Sequence, residues 1–222
     1  MKKRGLLIGN YDTSQRWTLA GWELSRAEQF TRYVKVPGRR KGQLDLSGAL
    51  TDGDPVYEQR SLTAVLECSE GTRLERKQWI DDMINELDGL QQNIVLPDDP
   101  HHYVVGRVSV TLLYNDTAHA SVQVDAVCEP WRYNLAETVV VLKATETAQT
   151  ERLTNRGRMA FLQTVTVTGE DANVLLDFGF VSSALSAGSF TELAGLCLPK
   201  GDTLLTYSGH GTVYITYREA VL

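Results

Sequence analysis

The sequence predicts a mainly β protein built as two consecutive domains, residues 1–131 and 132–222, with one helix in the first. Three observations predict it. Apolar residues alternate with period two through most of the 222 residues. One stretch alone, about 72–87, has helical spacing. After Glu129-Pro130-Trp131 no helical period returns, and short strand-like runs follow one another between turn signals. A chain of this length can bury one large core or two small ones. Its 42% hydrophobic and 23% charged residues are ordinary for folded domains.

The opening MKKRGLLIGN is cationic, but its apolar run of Leu6, Leu7 and Ile8 stops at Gly9, too short for a signal peptide. No later stretch has the length of a membrane span. Residues 21–36 read as extended chain with mixed signals, and 61–68 (SLTAVLEC) as a strand. Between them Arg39, Arg40 and Lys41 sit between Pro37-Gly38 and Gly42. A phosphate-cradling loop opens a helix, whereas Leu44 and Leu46 continue extended, so this island reads as a solvated hairpin tip or interface loop.

The helix is announced by a capping box, Thr72 with Glu75. Ile80, Met83, Ile84 and Leu87 form its buried stripe, and Gly89 stops it. In PDDPHHY (97–103), Asp98, Asp99, His101 and His102 are the right residue types for a divalent metal. Their spacing is wrong, because successive side chains of an extended, proline-stiffened segment point to opposite faces. The segment reads as a turn entering a strand. Residues 105–127 then form a hairpin, with Val108, Val110, Leu112 and Tyr114 on one face, a turn at Asn115-Asp116, and Ala120, Val122, Val124 and Ala126 returning. Asn115-Asp116-Thr117 also spells a glycosylation acceptor, which without a secretory signal is only a turn.

Beyond Trp131 the strand candidates are 138–145, 159–169, 172–179, 190–198, 202–209 and 212–219. Turns are expected at Asn155-Arg156-Gly157, Gly169-Glu170-Asp171 and Gly209-His210-Gly211, giving an antiparallel sandwich. Ser208 and His210 lie close in sequence, but a nucleophile and its base normally meet from separate elements, and no strained G-x-S-x-G elbow is present. Net charge is −6, with 16 Lys/Arg against 19 Asp/Glu in residues 1–132 and 6 against 9 in 133–222, so neither part is a basic nucleic-acid binder. Cys68, Cys128 and Cys197 are odd in number and each sits in an apolar run, which points to buried thiols in a reducing cytoplasm. Trp17, Trp22, Trp79 and Trp131 all precede residue 132, as core or as a partner patch.

The motifs in order, VPGRRKGQLDLSGAL, YEQRSLTAVLEC, INELDGLQQNIVLPDDPHHYVVGRV and CEPWRY, resemble the N-terminal domain of the distal tail protein of long, flexible-tailed bacteriophages. Pro37, Gly38, Arg39, Gly42, Leu44, Asp45, Leu46, Tyr57, Arg60, Gly89, Asp98, Asp99, Pro100, Tyr103, Gly106, Arg107, Pro130 and Tyr133 carry the resemblance. Arg40 and Lys41 depart from it by adding basic residues, and Trp131 departs by preceding the exit tyrosine. The resemblance implies a tail-tube-like β-sandwich with a helix and an extended hairpin, followed by a galectin-like or carbohydrate-module-like sandwich. It implies a hexameric ring at the virion tail tip, assembled in the bacterial cytoplasm. The tail tube protein and a tail-tip or hub protein would dock on it, and DNA would pass through the lumen unbound. An acidic conduit suits such passage, because a cationic lining would hold the phosphates. No catalytic activity, metal or cofactor is expected. The alternatives are a carbohydrate-binding or tail-fibre module attaching to a host-surface glycan, with Tyr207, Tyr214 and Tyr217 as weak sugar contacts, and a hydrolase built on Ser208 and His210.

Overall fold

The computed structural model describes residues 5–35, 43–45, 47, 55–191 and 196–222. The chain falls into two compact units, Met1–Arg132 and Tyr133–Leu222, each with its own apolar core. It is mainly antiparallel β, with one α-helix among the described residues.

In the first unit the strands are β1 (Leu7–Ile8), β2 (Tyr11–Asp12), β3 (Thr18–Leu24), β4 (Tyr33–Lys35), β5 (Gln43–Asp45), β6 (Arg60–Cys68), β7 (Gln91–Leu96), β8 (Asp99–Asn115) and β9 (Ala120–Asn134). They pair in the order β3-β6-β9-β8-β7-β1-β2, while β4 and β5 form a separate antiparallel pair. Period-two alternation sets the register. On β6 the buried Leu62, Ala64, Leu66 and Cys68 stand opposite Ala126, Val124, Val122 and Ala120 of β9, so two apolar faces coincide and slippage by one residue would expose both.

Helix α1 (Arg73–Leu87) begins where the capping box places it. Thr72 Oγ1 accepts from the Glu75 amide at 3.3 Å, and Glu75 Oε2 accepts from the Thr72 amide at 2.7 Å. The Thr72 amide, and after it the Thr72 hydroxyl, holds the Glu75 carboxyl below the usual carboxylate range. Ile80, Met83 and Leu87 are buried as expected, Ile84 packs partly buried beside them, and the fourth fully buried position is Arg76. Gly89, at φ +74, ends the helix by entering the left-handed region. The hairpin of β8 and β9 is longer than its sequence signal, and its buried face stops early. Val108 and Val110 are buried, but Leu112 and Tyr114 are 47% and 40% exposed.

The second unit is made of β10 (Thr138–Ala144), β11 (Gln149–Asp177), β12 (Ser182–Ser186), β13 (Gly188–Phe190) and β14 (Cys197–Val221). Two long bent strands, β11 and β14, replace the series of short ones. Residues 149–155 of β11 pair with 201–207, and residues 162–177 pair with 206–217 of the same partner. The expected turns at Asn155-Arg156-Gly157 and Gly169-Glu170-Asp171 are register shifts inside β11, and Gly209-His210-Gly211 stays within β14. Glycines at positive φ (Gly169, Gly209, Gly211) and Asp171 at φ 53 kink the strands without reversing them.

Candidate functional site

Among the described motif residues, Tyr57, Arg60, Asp99 and Gly106 come together in one region of the first unit. Arg60 opens β6 with its side chain turned inward and only 6% exposed, and its partner across the ladder is Cys128. On the other side of β9, β8 brings Gly106 against the same thiol: a Cβ at position 106 would stand 2.6 Å from Cys128 Sγ and 3.3 Å from Ala126 Cβ. The glycine is what lets β8 lie this close. Burial pushes the Cys128 thiol up to about 11, and burial together with the neighbouring Arg132 lowers the affinity of Arg60 for its proton.

Asp99 ties the region together. It follows the Pro97-Asp98 turn between β7 and β8, and its carboxylate accepts from Arg132 at 3.0 Å while lying 2.7 Å from His102 Nδ1. The alternation of β8 turns His102 towards this carboxylate and leaves its neighbour His101 exposed. Tyr57 enters from a bridge with Gln29 and meets the Trp131 ring edge-on, centroids 5.7 Å apart at 69°. Arg107 donates to the Gly89 carbonyl, pinning the exit of α1 to β8. Tyr103 lies half-buried on β8, and Asp98 and Pro100 are exposed on either side of Asp99. Asp45 stands opposite Tyr33 in the β4–β5 pair. Pro37, Gly38, Arg39 and Gly42, with Arg40 and Lys41, lie outside the described residues.

The arrangement is one of buttressing. A guanidinium–carboxylate–imidazole chain and a glycine contact lock β8 to β9, and an aromatic pair ties the segment before β6 to β9. The pairing of Tyr57 with Trp131 and of Gly106 with Cys128 has no local signature, because strand pairing joins segments far apart in the chain. The period-two pattern of residues 120–128 was the one signal that could have placed Cys128 inward.

In the second unit the three tyrosines divide. Tyr207 and Tyr217 point into the core, 8% and 2% exposed, and the Tyr217 hydroxyl donates to the Thr154 carbonyl at 2.9 Å. Their rings are therefore not available as a platform. Tyr214 faces outward, opposite the exposed Val141 of β10 and Thr166 of β11. Ser208 and His210 stand directly opposite Leu175 and Asn173, so the ladder places an alkyl group and an amide, not a carboxylate, against them.

No protein-family model matches the sequence, and no curated protein matches it. Among solved structures the chain is similar to the SPP1 Dit (gp 19.1) protein, described as a paradigm of the hub adsorption apparatus in phages that infect Gram-positive bacteria. The two share 14% sequence identity and superpose with a TM-score of 0.66, over 98% of this chain and 99% of that one. The likeness is one of fold, and it spans both units.

Proposed function

We propose that this chain is a structural hub component of a phage tail, forming a ring that joins the tail tube to the tail-tip or receptor-binding apparatus and lets DNA through. The observation that carries the reading is the correspondence of fold along the whole chain with a hub protein of an adsorption apparatus. Two further features support it. Several of the described motif residues brace strands against one another, as a scaffold needs. The net charge of −6 suits a conduit that must release DNA. The neighbours in this reading are further copies of the chain, the tail tube protein and the tail-tip protein, at the virion tail tip. The first unit would build the ring and the second decorate it.

The reading is tested in the phage or prophage that encodes the chain. Tails purified from a lysate should carry the protein at the tip by immunogold labelling, and deletion should give particles that no longer adsorb. Its absence from purified tails, or unchanged adsorption after deletion, would sink the proposal.

A further inference from the structure

Apart from Glu75, which is spent in the capping box, helix α1 carries its charges against its own dipole. The N-terminal end of a helix favours acids and the C-terminal end favours bases. Here Arg73, Arg76 and Lys77 stand in the first half, Asp81, Asp82 and Glu86 in the second, and the last turn has no basic residue. Arg76 is accounted for inside the fold, because it is buried and donates to the carbonyls of Gly71 and Asp116. Arg73 and Lys77, the latter also bonded to Asp81 at 2.6 Å, flank Leu74, which is 68% exposed and more exposed than any other large apolar residue among those described.

These residues frame a groove. Leu74 and Leu112 form its apolar floor and Arg73, Lys77 and Asn115 its rim, around a volume of about 640 Å³. The strand that lines it runs on in Leu113 and Tyr114, both exposed, and β7 pairs with β8 only as far as Arg107. Further along the same helix lies a second groove of about 520 Å³, where Asp82 and Glu86 face Asp12, Tyr11 and Arg16. Three carboxylates there meet one guanidinium, and Arg16 is itself held against Asp82 and over the Trp79 ring.

We propose that the Leu74–Leu112 groove docks on a second copy of this chain, with Arg73 and Lys77 set against Asp12, Asp82 and Glu86 of that copy. The inference rests on the hub reading and names the surface that the reading leaves open. Charge complementarity selects the occupant: the pattern disfavoured within one helix becomes favourable between two. Because the two patches differ and lie on one molecule, the contact is head to tail and propagates, closing as a ring or growing as a filament.

The test uses the full chain and native mass spectrometry. Wild type is expected to assemble. Leu74→Asp, which spoils the first patch, and Asp82→Lys/Glu86→Lys, which spoils the second, should each stay monomeric. Mixed in equal amounts, they should form a heterodimer and nothing larger, since each retains one working face. A chain carrying Arg73→Glu, Lys77→Glu, Asp82→Lys and Glu86→Lys together should assemble again, a rescue that misfolding cannot mimic. Wild type that remains monomeric at every concentration overturns the inference. So does assembly of the single-patch variants like wild type, or failure of both the mixture and the fourfold variant to associate. These outcomes leave the tail-tip labelling and adsorption results standing, whereas loss of the hub reading is read from those two results.

Discussion

At Gly106 a missing side chain matters more than the surrounding charges. Any Cβ there would need the Cys128 thiol, 2.6 Å away, to move within a ladder that fixes Cys128 opposite Arg60. Gly106→Ala should cost about 1–3 kcal/mol, the usual cost of overpacking a core. Chemical denaturation of Gly106→Ala, Cys128→Ala and the double variant checks this. The double variant should recover most of the alanine penalty, and additivity would show that the contact is unimportant. Cys128 also predicts a pH dependence. Its folded pKa, about 11, lies above its ordinary value of 9.0, so above pH 9 the unfolded chain gives up a proton that the folded chain keeps. Stability should therefore fall from about pH 9 towards 11, and a Cys128→Ala variant should lose that part of the slope. Residue types were legible here, and Asp99, Arg60 and Gly106 stood out in the sequence. Their partners did not, because an ion pair such as Asp99 with Arg132 exists only once β8 and β9 lie side by side.

Elements with a local cause are the ones the sequence discloses. Helix α1 starts at its capping box and ends at Gly89, both set by neighbouring residues. Arg76 is different, since a cation on a helix face reads as solvated. In the fold it is 1% exposed and donates to the Gly71 carbonyl at 2.7 Å and to the Asp116 carbonyl at 2.8 Å, latching the helix start to the tip of the β8–β9 hairpin. Arg76→Met keeps the apolar stem and removes the latch, so it should destabilise the protein by about 1–3 kcal/mol through carbonyls that lose their donor. Hydrogen exchange should then speed up at residues 115–119 and 72–76 before it changes in β6. Uniform loss of protection would instead mark Arg76 as ordinary core. The second unit was legible as antiparallel β but not in its strand lengths. A glycine pair reads as a reversal, yet Gly209 lies where a Cβ would stand 2.0 Å from the Asn173 carbonyl oxygen, so here it permits close approach within a continuing ladder.

For the molecule as a whole, the two units offer different surfaces. Each has its own core, one gathered around Leu62, Val122 and Met83, the other around Leu162, Val174 and Ile215. Two cores of this kind allow each unit to fold when the other is removed. The motif cluster and both grooves along α1 belong to residues 1–132. The second unit has a different exposed surface, where Val139 and Val141 of β10 stand 53% and 54% exposed beside Tyr214. Burial removes Tyr207 and Tyr217 from any aromatic platform there. The fragment 1–132 is therefore expected to assemble to the same copy number as the full chain, and the fragment 133–222 to stay monomeric and folded. Native mass spectrometry of the two fragments, with circular dichroism to confirm folding, decides between this division and its reverse. Oligomers of 133–222 beside monomeric 1–132 would move the assembly surface to the second unit. In that event Val139→Asp and Val141→Asp in the full chain should abolish assembly, while Leu74→Asp should leave it intact.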